Sequence, residues 1–318
     1  MNLKETFQKQ GGCNLLKQYL RNGSLLTAIC EFILLGKSRT ALEILRLSTQ
    51  LKVKQQLEKK YRKTLEAFDK TYDESLPHET SNKVWICWFQ GINNAPKLVQ
   101  KCFESVKENL TSKEIILITE ANMSEYVQFP QYIIDKWKNG IIKNAHMSDL
   151  LRLELLIRYG GLWLDATVLC TSPEKYIPDY FFKSDLFFFQ SLKPGRDGKA
   201  TYPSNWLISA RTNNRLLMAT RDLLYVYWKN NNDLDDYFIF HEFLSIVMDK
   251  NEDEWKKIIP RDNATPHILL LRLFDVYSEE TWQAIESQTP FHKMTYKFEE
   301  KELQKKDTYY SILFNDDK

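Results

Sequence analysis

A small set of charged residues lies in the middle of the chain, in a stretch that is otherwise rich in leucine. Asp165 interrupts the apolar run at residues 162–169, where a buried carboxylate without a partner would cost on the order of several kcal/mol. A cation at the carboxyl end of this strand would offset that cost, because α/β sheets place their ligands there. The pattern therefore predicts a metal site; the alternative is a carboxylate that caps a turn or pairs with Arg152.

Two more charged residues, Asp149 and Arg152, are three residues apart in a helix predicted at residues 145–159. On this helix Glu154 and Arg158 form an i, i+4 pair suited to solvent, and Asp149 and Arg152 lie on roughly the opposite side. A helix so rich in leucine does not expose both sides cheaply, so one polar side should face a polar interior or a cleft. We expect Asp149 and Arg152 to face a ligand; a buried pair that only braces the fold is the alternative.

The neighbouring segments predict an α/β framework. An apolar run at residues 83–89 is typical of a strand, residues 95–108 of a helix, and residues 114–118 of a second strand. A strand, a helix and a strand in close succession favour a parallel α/β unit. A two-glycine turn then joins the helix at 145–159 to the strand that carries Asp165.

Residues 1–70 differ from the rest in pattern and in charge. Apolar residues recur at spacings of three and four, which predicts helices with breaks at residues 22–23 and 36–38. This part has 14 Lys and Arg against 6 Asp and Glu, a net +8, whereas the remainder has 30 against 36, a net −6. The basic helix at 52–70 is either a solvated face or a membrane contact, since each Lys or Arg near anionic headgroups gains about 1 kcal/mol. A polar segment near residues 75–82 marks a linker.

The composition bounds the class of protein. The 318 residues, 43% apolar and 27% charged, make one globular domain with an appendage, and they exclude a disordered, collagen-like or coiled-coil chain. Five cysteines without a CxxC pair predict buried free thiols in a reducing compartment. The first residues lack signal-peptide features, and no apolar run reaches the roughly 20 residues of a membrane span. We expect a cytoplasmic protein, with the inner face of the membrane as an option.

Four strings of residues carry a family resemblance. They are Ser-Asp-Leu-Leu-Arg at 148–152, Tyr-Gly-Gly-Leu-Trp-Leu-Asp-Ala-Thr at 159–167, Trp-Ile-Cys-Trp-Phe-Gln-Gly at 85–91 followed by Ala95-Pro96, and Phe-His-Lys-Met-Thr-Tyr-Lys at 291–297. Together they resemble the signature of the capsular polysaccharide synthesis glycosyltransferases, relatives of glycosyltransferases with a DxD motif in the sugar-binding region. The resemblance covers residues 83–297 and leaves the N-terminal helices out.

The resemblance implies a GT-A fold, an α/β nucleotide-sugar-binding sandwich, over residues 79–318, with a basic helical extension over residues 1–78. It also implies a sugar-nucleotide donor and a divalent metal, Mn²⁺ or Mg²⁺. Thr167 stands in place of the second Asp of the DxD motif, so the metal would have one firm carboxylate where two are usual. The implied roles are Trp88, Gln90 and Gly91 in the nucleotide pocket, Asp149 and Arg152 on the donor sugar and diphosphate, Asp165 and His292 on the metal, and Lys293 and Lys297 near the phosphates.

Three further polar assignments depend on context. A lone histidine is more often structural, and His292 gains weight from its neighbours Lys293 and Lys297. Asn205 precedes an apolar run, so its amide could reach into the cleft or form a turn. His241 could serve the acceptor side or be a satisfied core histidine.

We therefore expect a retaining glycosyltransferase that moves a hexose, galactose or glucose, from a UDP-sugar to a lipid-linked oligosaccharide in bacterial capsular or exopolysaccharide synthesis. Retention is implied by the resemblance alone. The expected partners are the UDP-sugar, the lipid-linked acceptor and the membrane surface; nucleic acid is not expected, because residues 71–318 carry the net −6. Two alternatives stay open: a glycoside hydrolase that uses Asp149 and Asp165, and a basic membrane- or nucleic-acid-binding module without catalysis.

Overall fold

The structure is a computed structural model that describes residues 12–191 and 202–315. Its strands, in chain order, are β1 (Lys83–Cys87), β2 (Glu114–Ile118), β3 (Gly161–Asp165), β4 (Val168–Cys170), β5 (Leu186–Ser191), β6 (Tyr202–Ala210) and β7 (Phe291–Lys293). Its α-helices are α1 (Cys13–Arg21), α2 (Leu25–Leu35), α3 (Arg39–Thr71), α4 (Lys97–Asn109), α5 (Met123–Tyr126), α6 (Gln131–Lys138), α7 (Asn144–Tyr159), α8 (Tyr180–Lys183), α9 (Arg215–Asn230), α10 (Ile239–Lys250), α11 (Glu252–Lys256), α12 (Ile268–Arg272), α13 (Glu279–Glu286), α14 (Glu300–Leu303) and α15 (Tyr309–Phe314).

The chain divides into two compact units, each built from separate segments. The first contains the described residues up to Glu74 together with Pro130–His146 and Met218–Glu252. The second contains Ser75–Phe129, Met147–Leu217 and the described residues from Asp253 onward. The extension predicted at residues 1–78 overlaps the first of these three segments, which ends at Glu74, and its last four residues belong to the second unit.

In the first unit, α3 is one continuous helix of 33 residues. Its N-cap is Ser38, whose hydroxyl accepts a hydrogen bond from the backbone N–H of Ala41. Buried side chains recur along it at spacings of three and four, at Val53, Leu57, Tyr61, Leu65 and Phe68. The ring of Tyr61 packs edge-on against Phe243 of α10 at 5.2 Å. This buried stripe leaves most lysines and arginines of α3 exposed, as the amphipathic pattern requires. Lys54 instead pairs with Asp249 of α10.

The second unit is built around a five-stranded mixed sheet in the order β2-β1-β3-β6-β5. β1 runs parallel to both β2 and β3, and β6 runs antiparallel to β3 and β5. The strand–helix–strand unit expected from the sequence is confirmed as β1, α4 and β2. Helix α4 buries Leu98, Val99, Cys102 and Val106 at helical spacing, so the fold is mixed α/β with a parallel centre.

The connection from α7 to β3 determines where the charged residues of these two elements meet. Gly160 and Gly161 both have positive φ, at 64° and 100°. A side chain at Gly161 would collide with the backbone carbonyl oxygen of Lys83, so only glycine allows β3 to lie this close to β1. The predicted helix, glycine turn and strand are therefore confirmed.

Two expectations about this region are wrong. The apolar run at residues 162–169 is not one strand: the chain turns after Asp165, and β4 pairs with β7 in a separate two-stranded sheet. Hydrophobicity alone does not separate one buried strand from two. Glu154 is also buried rather than exposed. An amphipathic helix buries one side, whereas α7 packs against other side chains on more than one side.

No helix within residues 12–191 and 202–315 is long and apolar enough to cross a membrane. Cys30, Cys87, Cys102 and Cys170 are free thiols.

Candidate active site

Four charged side chains of the second unit form an ionic cluster: Asp149, Arg152, Asp165 and Lys293. Asp149 and Arg152 come from α7, Asp165 ends β3, and Lys293 ends β7. Cys87, the last residue of β1, is in register with Asp165. The ionic cluster thus lies at the carboxyl ends of two parallel strands, the edge where α/β sheets bind ligands.

Arg152 joins the two carboxylates of the ionic cluster. Its Nη2 lies 3.4 Å from Oδ1 of Asp149 and 3.4 Å from Oδ1 of Asp165. Its Nη1 donates to the backbone oxygen of Asn205 at 2.5 Å, and its guanidinium lies 5.0 Å from the ring centroid of Trp163. The side chain is only 5% exposed. Arg152 is therefore a positioning residue that holds both carboxylates in place.

The side chain of Asn205 contacts Asp149 directly. The side-chain amide of Asn205 donates to Oδ1 of Asp149 at 2.8 Å, and the Asp149 side chain is 10% exposed. The structure thus brings together Asp149, Arg152 and Asn205, which the sequence predicted separately. The Asn205 amide points to Asp149 of α7, and its predicted role in the cleft stays a prediction.

Asp165 and Lys293 are the more accessible members of the ionic cluster. Lys293 Nζ lies 2.8 Å from Asp165 Oδ2 and 2.6 Å from Thr167 Oγ1, and Trp163 Nε1 donates to Asp165 Oδ1 at 3.1 Å. Burial raises the pKa of Asp165, but the charges of Lys293 and Arg152 and the hydrogen bonds from Lys293 and Trp163 outweigh it, so the pKa lies below its ordinary value. The carboxylate is ionised at neutral pH.

The residues around Asp165 do not fit a divalent metal. Mn²⁺ and Mg²⁺ are bound by several oxygen ligands and attract carboxylates most strongly. Here the space between Asp165 and Thr167 is filled by the ammonium of Lys293. Across residues 12–191 and 202–315, no three or more His, Cys, Asp or Glu side chains are grouped so that they could hold a metal ion.

His292 points away from the ionic cluster. Successive side chains of a strand alternate between faces, so His292 and Lys293 on β7 lie on opposite sides. His292 is fully buried, its Nε2 lies 3.2 Å from Thr171 Oγ1, and burial lowers its pKa to about 4. The structure therefore pairs His292 with Thr171 and does not bring this predicted metal ligand to Asp165.

The buried neutral ring of His292 predicts a loss of stability in acid. Its pKa falls from 6.5 in the unfolded chain to about 4 in the folded one, so below pH 6.5 the unfolded state takes up a proton that the folded state does not. Between pH 7 and pH 5 this group alone should lower the free energy of unfolding by roughly 2 kcal/mol. Urea denaturation at the two pH values should show a smaller decrease for His292→Gln than for the wild type; equal decreases would contradict the buried neutral ring.

The predicted nucleotide-side residues lie in the turn after β1 and in the segment after β7. Trp88 follows Cys87 directly, and its ring packs edge-on against Tyr296 at 5.4 Å. The indole Nε1 of Trp88 is buried and has no hydrogen-bond partner among the described residues. Lys297 is exposed, with its Nζ 5.8 Å from the ring centroid of Tyr296. The structure thus brings Trp88 and Lys297 together through an aromatic ring that the sequence argument did not single out.

Three other predicted positions are placed as follows. Gln90 is exposed, and Gly91 has φ 79° in the turn that leads toward α4, so both lie next to Trp88 in the chain. His241 belongs to the first unit, on α10, where its ring packs edge-on against Phe238 at 5.3 Å and Phe240 at 5.6 Å.

Sequence reasoning missed two side chains that the structure places beside the predicted ones, Trp163 and Tyr296. Trp163 supports Arg152 and donates to Asp165. Because it lies two residues before Asp165 on β3, strand alternation places both on one face and could have revealed it. No regular spacing in the sequence could have revealed Tyr296, because it lies in the irregular segment after β7.

One family model and several curated proteins are similar to this chain. The sequence model of one family, described as "Capsular polysaccharide synthesis protein", matches residues 38–313. The chain is 30% identical over 99 residues to "O-glycosyltransferase braB" of Annulohypoxylon truncatum, which is 28% of this chain and 24% of that protein. It is 31% identical over 98 residues to "Glycosyltransferase afumC" of Aspergillus fumigatus, 28% and 25% of the two chains, and 22% identical over 170 residues to "O-glycosyltransferase PaGT" of Phomopsis amygdali, 50% and 42%.

The chain therefore spans less than half the length of these curated relatives. Among solved structures, "PaToxG Glycosyltransferase" has a TM-score of 0.37 and 15% identity, covering 82% of this chain and 95% of that one. At this score the two chains are not shown to share a fold.

Proposed function

The chain belongs to the capsular polysaccharide synthesis protein family, and from this premise we propose that it is a glycosyltransferase that takes its sugar from a sugar nucleotide. The observation that carries the proposal is the ionic cluster at the carboxyl ends of β1 and β3, with Asp165 and Lys293 accessible to a ligand. The names of the fungal relatives support the reaction class. A GT-A fold, which the mixed sheet with its parallel centre supports, is part of the proposal.

The donor in this proposal is a UDP-sugar that carries galactose or glucose. The nucleotide would lie near Trp88, whose ring offers a stacking surface next to Tyr296. The diphosphate would lie at Lys293, with the exposed Lys297 close by in sequence. Asp149, which accepts a hydrogen bond from the Asn205 amide, and Asn205 itself would contact the sugar hydroxyls.

The acceptor is a hydroxyl of a lipid-linked oligosaccharide, as in the synthesis of capsule or exopolysaccharide. The family description supports a polysaccharide product. The bacterial setting expected from the sequence rests on the resemblance alone, and the relatives named above are fungal.

The proposed reaction retains the configuration at C1 of the sugar. The bond between C1 and the diphosphate oxygen breaks, and its electron pair stays on that oxygen. The acceptor hydroxyl oxygen bonds to C1 on the same face, and its proton passes to the departing diphosphate. Lys293 would stabilise the negative charge that develops on the diphosphate, because a fixed cation in a partly buried site acts without reorganisation.

The geometry disfavours the hydrolase alternative. A glycoside hydrolase needs one protonated and one ionised carboxyl group on either side of the scissile bond. Asp149 and Asp165 instead share a single nitrogen of Arg152, and the pKa of Asp165 is lowered by Lys293 and Arg152 despite its burial. The arrangement places both carboxyl groups on one guanidinium nitrogen and not on either side of a scissile bond.

Incubation of the purified protein with a panel of UDP-sugars tests the proposed function. We expect release of UDP from one donor, faster when a saccharide acceptor is added. If none of the donors releases UDP and none binds, the transferase proposal is contradicted.

We also propose that the first unit contacts an anionic membrane surface. Large apolar side chains are exposed along α2, which packs against α3: Leu26, Ile29, Phe32, Ile33, Leu34 and Leu35. The basic residues Lys37 and Arg39 follow within four positions and are exposed. A short apolar helix face beside basic residues suits the interface between headgroups and acyl chains.

A charge introduced on α2 should weaken this membrane contact. Leu34 is 78% exposed, so Leu34→Glu leaves the core intact while placing a carboxylate in the lipid interface. We expect the fraction of protein that sediments with phosphatidylglycerol vesicles to fall by at least about fivefold. Leu271→Glu is the matched control, because Leu271 is also 78% exposed but lies in the second unit. Equal sedimentation of both variants and the wild type would contradict the membrane contact.

A further inference from the structure

The ammonium of Lys293 lies where the sequence predicted a metal ion. Its Nζ is 2.8 Å from Oδ2 of Asp165 and 2.6 Å from Oγ1 of Thr167, the first and third residues of the DxD-like string. We propose that Lys293 replaces the metal, so that its ammonium holds the diphosphate of the donor and the site works without a divalent cation. This inference rests on the proposed function, because it concerns the same ligand.

The ammonium has the donor capacity that this role requires. A lysine ammonium carries three N–H groups and accepts no hydrogen bond. Two of them are directed to Asp165 and Thr167, and no further partner of Nζ is present within residues 12–191 and 202–315. The side chain is 20% exposed, so the third N–H can donate to a phosphate oxygen.

The backbone fixes Lys293 in this position. β7 pairs with β4, with Lys293 in register with Val168, and the N–H of the next residue, Met294, donates to the carbonyl oxygen of Thr167 at 2.9 Å. Two strands therefore hold the lysine backbone directly beside the Asp165–Thr167 turn. The contact follows from the sheet pairing and does not depend on a long side chain that reaches across open space.

A metal ion would find poor ligands at this site. Thr167 offers a neutral hydroxyl where the DxD motif has a carboxylate, and Mn²⁺ or Mg²⁺ gains much less from it. Both oxygens of Asp165 already face a cationic side chain, Oδ1 toward Arg152 and Oδ2 toward Lys293. A metal would have to displace Lys293 and bind beside a second positive charge.

Calorimetric titration of UDP into the 318-residue protein, in EDTA and then in Mn²⁺, tests the inference. We expect the two dissociation constants to agree within about twofold, and Mn²⁺ alone to show no saturable binding. Lys293→Met should weaken UDP binding at least about tenfold in both buffers, because it removes the cation and keeps the apolar stem. Lys183→Met is the control, since Lys183 forms an ion pair of similar length, 2.7 Å, with Asp179 on the exposed surface.

The outcomes separate this inference from the proposed function. UDP binding that EDTA abolishes and Mn²⁺ restores would overturn the replacement of the metal and leave the transferase proposal intact. Unchanged affinity of a folded Lys293→Met protein would also overturn it. If that variant does not fold, the UDP affinity of the wild type in EDTA and in Mn²⁺ tests the inference without it. Absence of UDP binding in either buffer would contradict the proposed function itself.

Discussion

Asp165→Asn should lower the turnover of the UDP-sugar by about 1,000-fold. Asparagine has nearly the same shape, and its side-chain oxygen can still accept from Trp163, but it removes the charge that holds Lys293 and Arg152. The ammonium of Lys293 then loses its fixed position beside Thr167 and the diphosphate. Because both cations lose a counter-charge in a partly buried site, we also expect a lower melting temperature.

Steady-state kinetics below the melting temperature of the variant measures this effect. The charges of Lys293 and Arg152 outweigh burial and lower the pKa of Asp165. Because asparagine has no titrating group, changing the pH within the neutral range should not rescue the variant. Asp179→Asn is the matched control, because it breaks an exposed Asp–Lys pair of the same unit. A folded Asp165→Asn protein with wild-type turnover would contradict the proposed role of the Asp165 carboxylate.

Arg152→Lys should reduce turnover by about 100-fold, which corresponds to about 2.7 kcal/mol of transition-state stabilisation. Lysine keeps the charge but has no planar fork, so it cannot reach Asp149, Asp165 and the carbonyl oxygen of Asn205 together. Since the Arg152 side chain is only 5% exposed, it acts by positioning the carboxylates. We therefore expect kcat to fall while KM for the donor changes little.

Arg158→Lys on the same helix is the control for this substitution. Arg158 is exposed and donates to the carbonyl oxygen of Tyr126 at 3.1 Å, so the change should leave kcat at the wild-type value. If the kcat/KM values of Arg152→Lys and Arg158→Lys fall only in proportion to their loss of melting temperature, Arg152 has a purely structural role.

Local patterns were sufficient to place three members of the ionic cluster, Asp149, Arg152 and Asp165. Lys293 was assigned from the resemblance alone, and it reaches Asp165 through the pairing of β4 with β7. The helical period puts Asp149 and Arg152 on one side of α7, and the glycine turn carries the chain directly into β3 and Asp165. Strand alternation also shows that His292 and Lys293 cannot face the same ligand, although the resemblance assigned both to one site. The structure brings Lys293 to Asp165 and His292 to Thr171.

The parts that the sequence did not reveal depend on contacts between distant segments. The split of the apolar run into β3 and β4 follows from pairing with β7, more than 100 residues later. The first unit includes Pro130–His146 and Met218–Glu252, and no local signal joins these segments to the N-terminal helices. Burial of Glu154 likewise depends on the packing around α7. Such features follow from the tertiary fold, which periodicity does not encode.

The central claim is that the ionic cluster recognises the diphosphate of a nucleotide, and comparing UDP with uridine tests it most directly. Both ligands present the same base and ribose, so the difference in binding free energy reports the diphosphate. Calorimetry of the wild-type protein should show that UDP binds at least about 100-fold more tightly than uridine, and this difference in affinity should decrease as salt is added. Equal affinities for UDP and uridine would contradict the claim.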